Sequence, residues 1–327
     1  MRARILGVAA AVVVLIAAAV GYGVLSRDRG PAVNSVAVVT GQPVSVQAKG
    51  QLLFRNTAEG PDFGHLATVP ADRPGEPRKV SGLSCDRFAA SAGTALCLAA
   101  QPGVLPPMTD VIVLDKDLKE IRRIELPGTP SRGRVSPDGK LAYWTLFVNG
   151  DSYAETGFST RAGIFNLTTG KLMKSIEEMG LLLDGKPYYS SDVNYWGITF
   201  APDGKKFYAT VGTKGKTYLV EADYEKLVAR MIRENVECPS LSPDAKRIAF
   251  KKKVSADLAA PWRLAVLDLA SGKETLLAET RSVDDQAAWL DDRTVAYGVD
   301  SAVWSVPADG SGAPRELVQQ GSSPAGV

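Results

Sequence analysis

The chain has 327 residues, and its 38 Lys and Arg nearly balance its 36 Asp and Glu. Residues 1–30 carry a net charge of +3, so the remainder has a charge of about −1. A near-neutral chain lacks the basic surface that nucleic-acid binding requires, and we expect no nucleic-acid partner. With three Cys, one His and no Cys-x-x-Cys pair, the ligands of a zinc site are also missing, and we predict neither a metal nor a cofactor.

The N-terminal part of the chain contains an uncharged apolar segment, residues 5–25, with arginines on both sides. Its 21 residues are enough for a helix to cross a hydrocarbon layer of about 30 Å. Ala17 and Ala19 leave open a cleavage site after a signal peptide. We therefore predict a single-pass cell-membrane protein held by residues 5–25 with its main domain outside the cytoplasm, or a secreted protein if the segment is cleaved.

The rest of the chain is long enough for one large domain. We assign residues 1–30 to the signal anchor or signal peptide, 31–50 to a linker and 51–327 to the folded domain. All-β folds commonly reach this length as a single unit.

The cysteines suggest one disulfide. Cys85 and Cys97 flank a predicted hairpin centred near Ser91, which would place them directly opposite each other, close to disulfide distance. Cys238 would then be free. The alternative, two small buried thiols, stays open.

A short turn recurs along the chain and divides it into repeats. Each copy joins Pro-Asp, or Leu-Asp in the last copy, to a short apolar strand, which is the chemistry of a tight turn. The copies are 136–140, 201–205, 242–246 and 289–293. Their aspartates are 65, 41 and 47 residues apart. Spacings of about 40–50 residues are typical of propeller blades, and the longer one indicates an insertion, with segments 149–153 and 183–186 lengthening the third blade.

A second hairpin follows each turn, which gives four strands per repeat. We therefore predict an all-β, six-bladed propeller, with a seven-bladed arrangement that uses 34–48 as the alternative. The chain ends are expected to meet in one blade, because 51–54 looks like a second strand without a first and 322–327 like a first strand without a second. The predicted blades are 51–80, 82–126, 131–187, 195–232, 236–280 and 284–318.

The turns resemble the PD40 repeat of the TolB-like group of WD40-like propellers, and the resemblance covers residues 51 to 327. Stretches 237–244 and 281–286 are also similar to actinobacterial proteins labelled TolB-like translocation proteins. The resemblance implies a propeller but no particular reaction, since one fold hosts many activities. TolB itself has an extra N-terminal domain, and none fits between Arg29 and Gln51, so the Tol–Pal role is not carried over.

Catalytic residues are not evident, and we predict that the protein is not an enzyme. His65 is the only histidine, and no Gly-x-Ser-x-Gly elbow accompanies it, so a hydrolase triad has too few members. The run Lys251–Lys253 is expected to be a solvated strand end.

A ligand site is expected where the first strands of the blades surround the axis. Residues counted back from the turns by a constant interval, with their neighbours, form a rim of mixed charge and aromatic character, for which alternating salt bridges are the alternative explanation. The candidate ligand-binding residues are Arg132, Arg134, Tyr195, Trp196, Asp284 and Asp285.

These observations predict a monomeric, membrane-tethered extracytoplasmic propeller. It would act as a binding scaffold in the cell envelope for an unknown envelope protein or polar ligand. The alternative is a hydrolase or lyase that acts on a glycan or lactone through axial carboxylates.

Overall fold

The computed structural model describes residues 36–39, 43–47, 50–148 and 159–326. Within these ranges the regular secondary structure is almost entirely β-strand, and the one helical segment is a 3-10 turn at Ile176–Glu178. The strands form six sheets, which confirms the predicted all-β, six-bladed propeller.

The predicted membrane anchor, residues 5–25, lies outside the described residues. No helix among the residues that are described is long and apolar enough to cross a membrane. This finding contradicts the predicted single-pass, membrane-held location. The predicted domain limits at residues 30 and 50 stay a prediction.

Each blade is built on four antiparallel strands, the first of which lies nearest the axis. Blade 1 consists of β27 (Gly321–Gly326), β2 (Gln51–Asn56), β3 (His65–Pro70), β4 (Arg78–Ser84) and a short parallel outer strand β1 (Val38–Val39). Blade 2 consists of β5 (Arg87–Ser91), β6 (Thr94–Ala100), β7 (Met108–Leu114) and β8 (Glu120–Pro127). Blade 3 consists of β9 (Thr129–Val135), β10 (Leu141–Val148), β11 (Ser159–Asn166) and β12 (Leu172–Met173).

The second half of the ring repeats this order. Blade 4 consists of β15 (Asn194–Phe200), β16 (Lys206–Thr213), β17 (Lys216–Asp223) and β18 (Val228–Glu234), extended by β13 (Gly180–Leu183) and β14 (Lys186–Tyr188). Blade 5 consists of β19 (Glu237–Leu241), β20 (Arg247–Lys253), β21 (Trp262–Asp268) and β22 (Glu274–Leu276). Blade 6 consists of β23 (Ala288–Trp289), β24 (Thr294–Val299), β25 (Ala302–Pro307) and β26 (Arg315–Gln319).

The two chain ends close the ring in blade 1, as predicted. Strand β27 pairs antiparallel with β2, with Leu53 opposite Ala325 and Asn56 opposite Gly321. The buried guanidinium of Arg78 reinforces the closure, since it donates to the carbonyl oxygens of Gln319 and Gln320 at 2.6 and 2.8 Å. The last strand therefore serves as the innermost strand of the first blade and removes an open sheet edge.

The recurring turn is built by its own side chains. In blade 3, Ser136 Oγ accepts from the amide of Leu141 at 2.9 Å and donates to Asp138 Oδ1 at 2.6 Å. The same pattern in blade 5 joins Ser242 to Asp244 and to the amide of Arg247. These aspartates hold the turn, which is the common role of turn aspartates.

Segment 183–186 extends blade 4 instead of blade 3, so this part of the prediction was wrong. After the 3-10 turn, β13 runs parallel to β18 and forms a hairpin with β14. The segment that contains 183–186 thereby covers the outer edge of the next blade. Segment 149–153 lies outside the described residues.

The predicted disulfide is present between Cys85 and Cys97, with a Cα–Cα distance of 5.5 Å, and Cys238 is free and buried. Its structural basis differs from the prediction. Cys97 lies opposite Phe88 in the β5–β6 hairpin, while Cys85 precedes β5 in the connection from blade 1. The bond therefore ties this connection to blade 2.

Candidate functional site

The innermost strands surround an axial cavity of about 320 Å³. Pro137, Pro202 and Pro243 line it, so it reaches the face of the propeller that carries the Pro-Asp turns. Its charged lining comes from Arg87, Arg132, Arg134 and Asp285. Three guanidinium groups around one carboxylate make this cavity suited to an anionic group.

Two of these arginines cross the axis from blade 3 to blade 6. Arg132 donates through Nη2 to Asp284 Oδ1 at 3.3 Å, and Arg134 donates through Nη2 to the carbonyl of Ala287 at 3.1 Å. The side-chain oxygen of Gln286, in the orientation that satisfies both groups, accepts from Arg134 Nε at 2.8 Å. Burial lowers the pKa of Arg134 to about 10, so its side chain is still a charged cross-link near neutral pH.

Arg87 differs from the other two because most of its guanidinium is unused. Its Nε donates to the carbonyl of Ser131 at 2.7 Å, whereas its terminal nitrogens donate to none of the residues that the structure describes. Burial and the neighbouring charge of Arg132 lower the pKa of Arg87, although the carboxylates of Asp285 and Asp86 act in the opposite direction. An anion in the cavity would reduce the repulsion between Arg87 and Arg132 and accept hydrogen bonds from the free terminal nitrogens of Arg87.

The two predicted acidic residues are already paired. Asp284 accepts from Lys251 Nζ at 2.5 Å and forms an ion pair with Arg132. Burial opposes its ionisation, but these two cations outweigh burial and lower its pKa. Asp285 accepts from the amide of Gly298 at 2.8 Å. Lys251 is buried beside them, so the prediction of a solvated strand end was wrong for this lysine.

The rim prediction placed the aromatic residues less well than the charged ones. Tyr195 is fully buried in the apolar core around blades 3 and 4, and burial raises its pKa. Trp196 lines a separate cleft between blades 4 and 5. Arg132, Arg134 and Asp285 do line the axial cavity, whereas Asp284 is held beside it by Arg132.

The difference at Tyr195 and Trp196 has a local cause. Strand β15 contains a bulge between Trp196 and Thr199, with Gly197 in the left-handed region at φ +64°. A Cβ at Gly197 would lie 2.7 Å from the Cα of Cys238, so only glycine fits. Such a bulge changes the face to which the side chains point, and simple alternation from the turn does not anticipate it.

Sequence reasoning missed Arg87, Gln286 and Lys251. Arg87 begins the innermost strand of blade 2, whose turn at Ala92 and Gly93 has no Pro-Asp pair from which to count. Gln286 directly follows the candidates Asp284 and Asp285 in the sequence, so it could have been found as their neighbour.

The side chains that could take part in catalysis are engaged or lie away from the axial cavity. The described ranges hold no group of three or more His, Cys, Asp or Glu placed to bind a metal ion. His65 is the first residue of β3 in blade 1, where its Nδ1 is 3.0 Å from the carbonyl oxygen of Ser81. It is not among the residues that line the axial cavity. The two axial acids are held by lysine, arginine and a backbone amide.

Comparison with known proteins shows the fold. No protein-family model and no curated protein matches the chain. TolB from Acinetobacter baumannii superposes with a TM-score of 0.58 at 19% identity, over 84% of this chain and 66% of that one. A candidate TolB from Agrobacterium tumefaciens gives 0.50 at 13% identity, over 84% and 90%, and a chain of a nidogen/laminin complex gives 0.54 at 12%, over 84% and 97%. The chain is thus a β-propeller similar in structure to TolB; its likeness to actinobacterial proteins stays a prediction.

Proposed function

We propose that the protein is a binding module that captures an anionic group, a carboxylate or a phosphate, of its ligand in the axial cavity. The observation that carries this proposal is Arg87. Its guanidinium lies in the cavity with free terminal donors, next to the like charge of Arg132. A half-buried cation in this position gains a hydrogen-bond acceptor, and a counter-charge in addition to Asp285, when an anion enters.

The cross-links made by Arg132 and Arg134 support binding without rearrangement. They join blade 3 to blade 6 through Asp284, Gln286 and Ala287. These cross-links hold the wall of the cavity, and Arg87 is itself held by the carbonyl of Ser131. The binding geometry is therefore largely set before the ligand arrives, which reduces the entropy cost of binding. The likeness to TolB adds the fold but no ligand.

The alternative, a hydrolase or lyase that uses axial carboxylates, has less support. A general acid and a general base need distinct pKa values and free access to the substrate. Asp284 instead shares its carboxylate between Lys251 and Arg132, and Asp285 holds the amide of Gly298.

The test is titration calorimetry and thermal unfolding with phosphate, citrate, and one peptide in free-carboxylate and amidated forms. A ligand at about 100 times its Kd stabilises the folded state by about 2.7 kcal/mol, which corresponds to a Tm rise of about 5–10 °C. Arg87→Gln is expected to abolish the rise. Arg122→Gln, on the exposed outer strand β8, is the matched control.

Two outcomes would overturn the proposal. One is equal binding of the anions by wild type and Arg87→Gln. The other is turnover of a glycan or lactone that Asp285→Asn abolishes, which would support the enzymatic alternative.

A further inference from the structure

A second cavity, separate from the axial one, lies in the cleft between blades 4 and 5. It has a volume of about 580 Å³ and is bounded by Trp196 and Trp262, with Glu237 and Leu258 also in its lining. Its other lining residues come from the start of β15, the ends of β16–β18, the connection into β19 and the end of β20. These strand ends belong to the face opposite the Pro-Asp turns, because successive connections of an antiparallel blade alternate between the two faces.

Glu237 is the unusual group of this cleft. Its residue is only 9% exposed, yet its carboxylate accepts no hydrogen bond from any described residue. Its nearest cation, Lys251 Nζ, is 3.9 Å away and is held at 2.5 Å by Asp284 instead. A buried carboxylate with so little compensation is costly, so it is a strong point of attraction for another cation.

The aromatic wall suits the same charge. Lys251 Nζ already lies 4.6 Å from the centroid of the Trp262 ring, so this ring stands beside the Glu237–Lys251 pair and is in a position for cation–π contact. Trp196 forms a further wall of the cleft. Its indole ring packs against Gly212, where a Cβ would lie 2.7 Å from the ring, so only glycine leaves room for it. Tryptophans and a carboxylate together form a site for an ammonium or guanidinium group.

The other acids of the cleft are engaged, while Lys216 and Lys253 are the cations in its lining. Glu234 pairs with Lys216 at 3.0 Å, and Asp192 accepts from Thr213 Oγ1 at 2.7 Å and from the amide of Lys214 at 2.5 Å. These contacts leave Glu237 as the acid that a cationic ligand would meet.

The lip of the cleft indicates what carries the cation. Leu258, which lines the cleft, is 87% exposed, and Val254, which directly follows the lining residue Lys253 in the chain, is 48% exposed. Apolar side chains at the edge of a pocket with a charged base fit a polypeptide better than a small polar ion, since a chain covers the lip while one side chain enters.

We propose that this cleft is a docking site for a partner polypeptide, which inserts a lysine or arginine side chain between Trp196 and Trp262 to reach Glu237. Leu258 and Val254 then pack on apolar residues beside the inserted one. The partner is identified by this chemistry, a basic residue with apolar neighbours. The argument for this site does not rest on the proposed anion site at the axis.

The charged surroundings of Glu237 make binding depend on pH. Burial raises the pKa of Glu237 to about 7; Asp284 raises it as well, while Lys251, Lys253 and Arg132 lower it. The cation binds only the ionised carboxylate. Affinity is therefore expected to increase from pH 6 to pH 8 in the wild type and to lose this dependence in Glu237→Gln.

The probes are N-acetyl-lysine amide, N-acetyl-arginine amide and the neutral analogue N-acetyl-norleucine amide, followed by tryptophan fluorescence and by NMR. The cationic probes are expected to bind with Kd on the order of 1 mM, and norleucine at least about tenfold more weakly, as expected for the loss of one charge-assisted hydrogen bond. Glu237→Gln should weaken the lysine probe by about tenfold or more. Glu225→Gln, at an exposed turn on the other face, is the matched control.

A second variant keeps the test clear if Glu237→Gln destabilises the fold. Trp262→Leu removes the aromatic wall, and its unfolding midpoint shows whether it is folded; it should lose the preference for the lysine probe over norleucine. Equal binding of norleucine and lysine, or unchanged lysine binding in folded Glu237→Gln, would overturn the proposal. The axial test uses anions and Arg87, so either proposal can fail without the other.

Discussion

Deletion of residues 321–327 tests the closure of the ring. This deletion removes β27, which supplies the innermost strand of blade 1 through four register pairs with β2, from Leu52 opposite Gly326 to Asn56 opposite Gly321. It also takes Ala325 from the core cluster that includes Leu53. Strand β2 would then present an unpaired inner edge.

The expected loss follows from these contacts. The four register pairs correspond to about four backbone hydrogen bonds. At about 0.5–1.5 kcal/mol net for each bond, they contribute about 2–6 kcal/mol. The typical stability of a folded domain is about 5–15 kcal/mol, so a large share is lost. The truncated protein should show a lower urea midpoint than the wild type, and its open edge should promote oligomers in size-exclusion chromatography.

A synthetic peptide of residues 319–327 provides the control. Added in excess, it should occupy the empty position beside β2 and restore the urea midpoint, whereas a peptide of the same composition in scrambled order should not. A truncated protein that keeps the full-length midpoint and stays monomeric would refute the closure argument, and so would equal rescue by both peptides.

Two further predictions concern cross-links within and between blades. The disulfide joins residues with a sequence separation of 12. Replacing Cys85 and Cys97 by serine should therefore lower the free energy of unfolding by about 3 kcal/mol, as expected for a closed loop of this length. Reduction should shift the urea midpoint of the wild type but not that of the double variant. Burial opposes ionisation of Glu279, but hydrogen bonds from Arg281 and Tyr297 outweigh it and lower its pKa to about 2. The stabilisation that ionised Glu279 provides is therefore complete above the unfolded pKa of about 4.5 and is lost as the pH falls from there towards 2. The variant Glu279→Gln should be less stable than the wild type at pH 7. The difference in urea midpoint between the two proteins should shrink by pH 3.

The blades could be read from the sequence because their turns are local. Ser136 and Asp138 build the turn of blade 3 with bonds that span five residues or fewer, so the motif itself carries the structure. Closure was accessible for a related reason, since a first strand and a second strand without partners stood at opposite ends of the folded domain.

The disulfide shows where such reasoning ends. The pair Cys85–Cys97 is correct, but the expected symmetry about Ser91 is not, because Ser91 pairs with Thr94 and the turn is Ala92-Gly93. Cys85 lies before the strand and reaches Cys97 through the path of the connection. Proximity in the chain predicted the bond, while the register needed the three-dimensional structure.

Contacts between blades were the least predictable. Lys251 looked like part of a solvated run, yet it reaches Asp284 of the neighbouring blade connection. Likewise, β13 pairs with β18, almost fifty residues later in the chain. No local pattern encodes these pairings, because they depend on how the sheets stand around the axis.

The two proposed sites are joined by one chain of ion pairs. Glu237 in the cleft lies 3.9 Å from Lys251, Lys251 lies 2.5 Å from Asp284, and Asp284 lies 3.3 Å from Arg132 in the axial lining. A cation at Glu237 would reduce the compensation of Lys251 and leave the axis more positive. Anion binding there would then be stronger, and thermodynamic linkage requires that an axial anion strengthens cation binding in the cleft by the same factor.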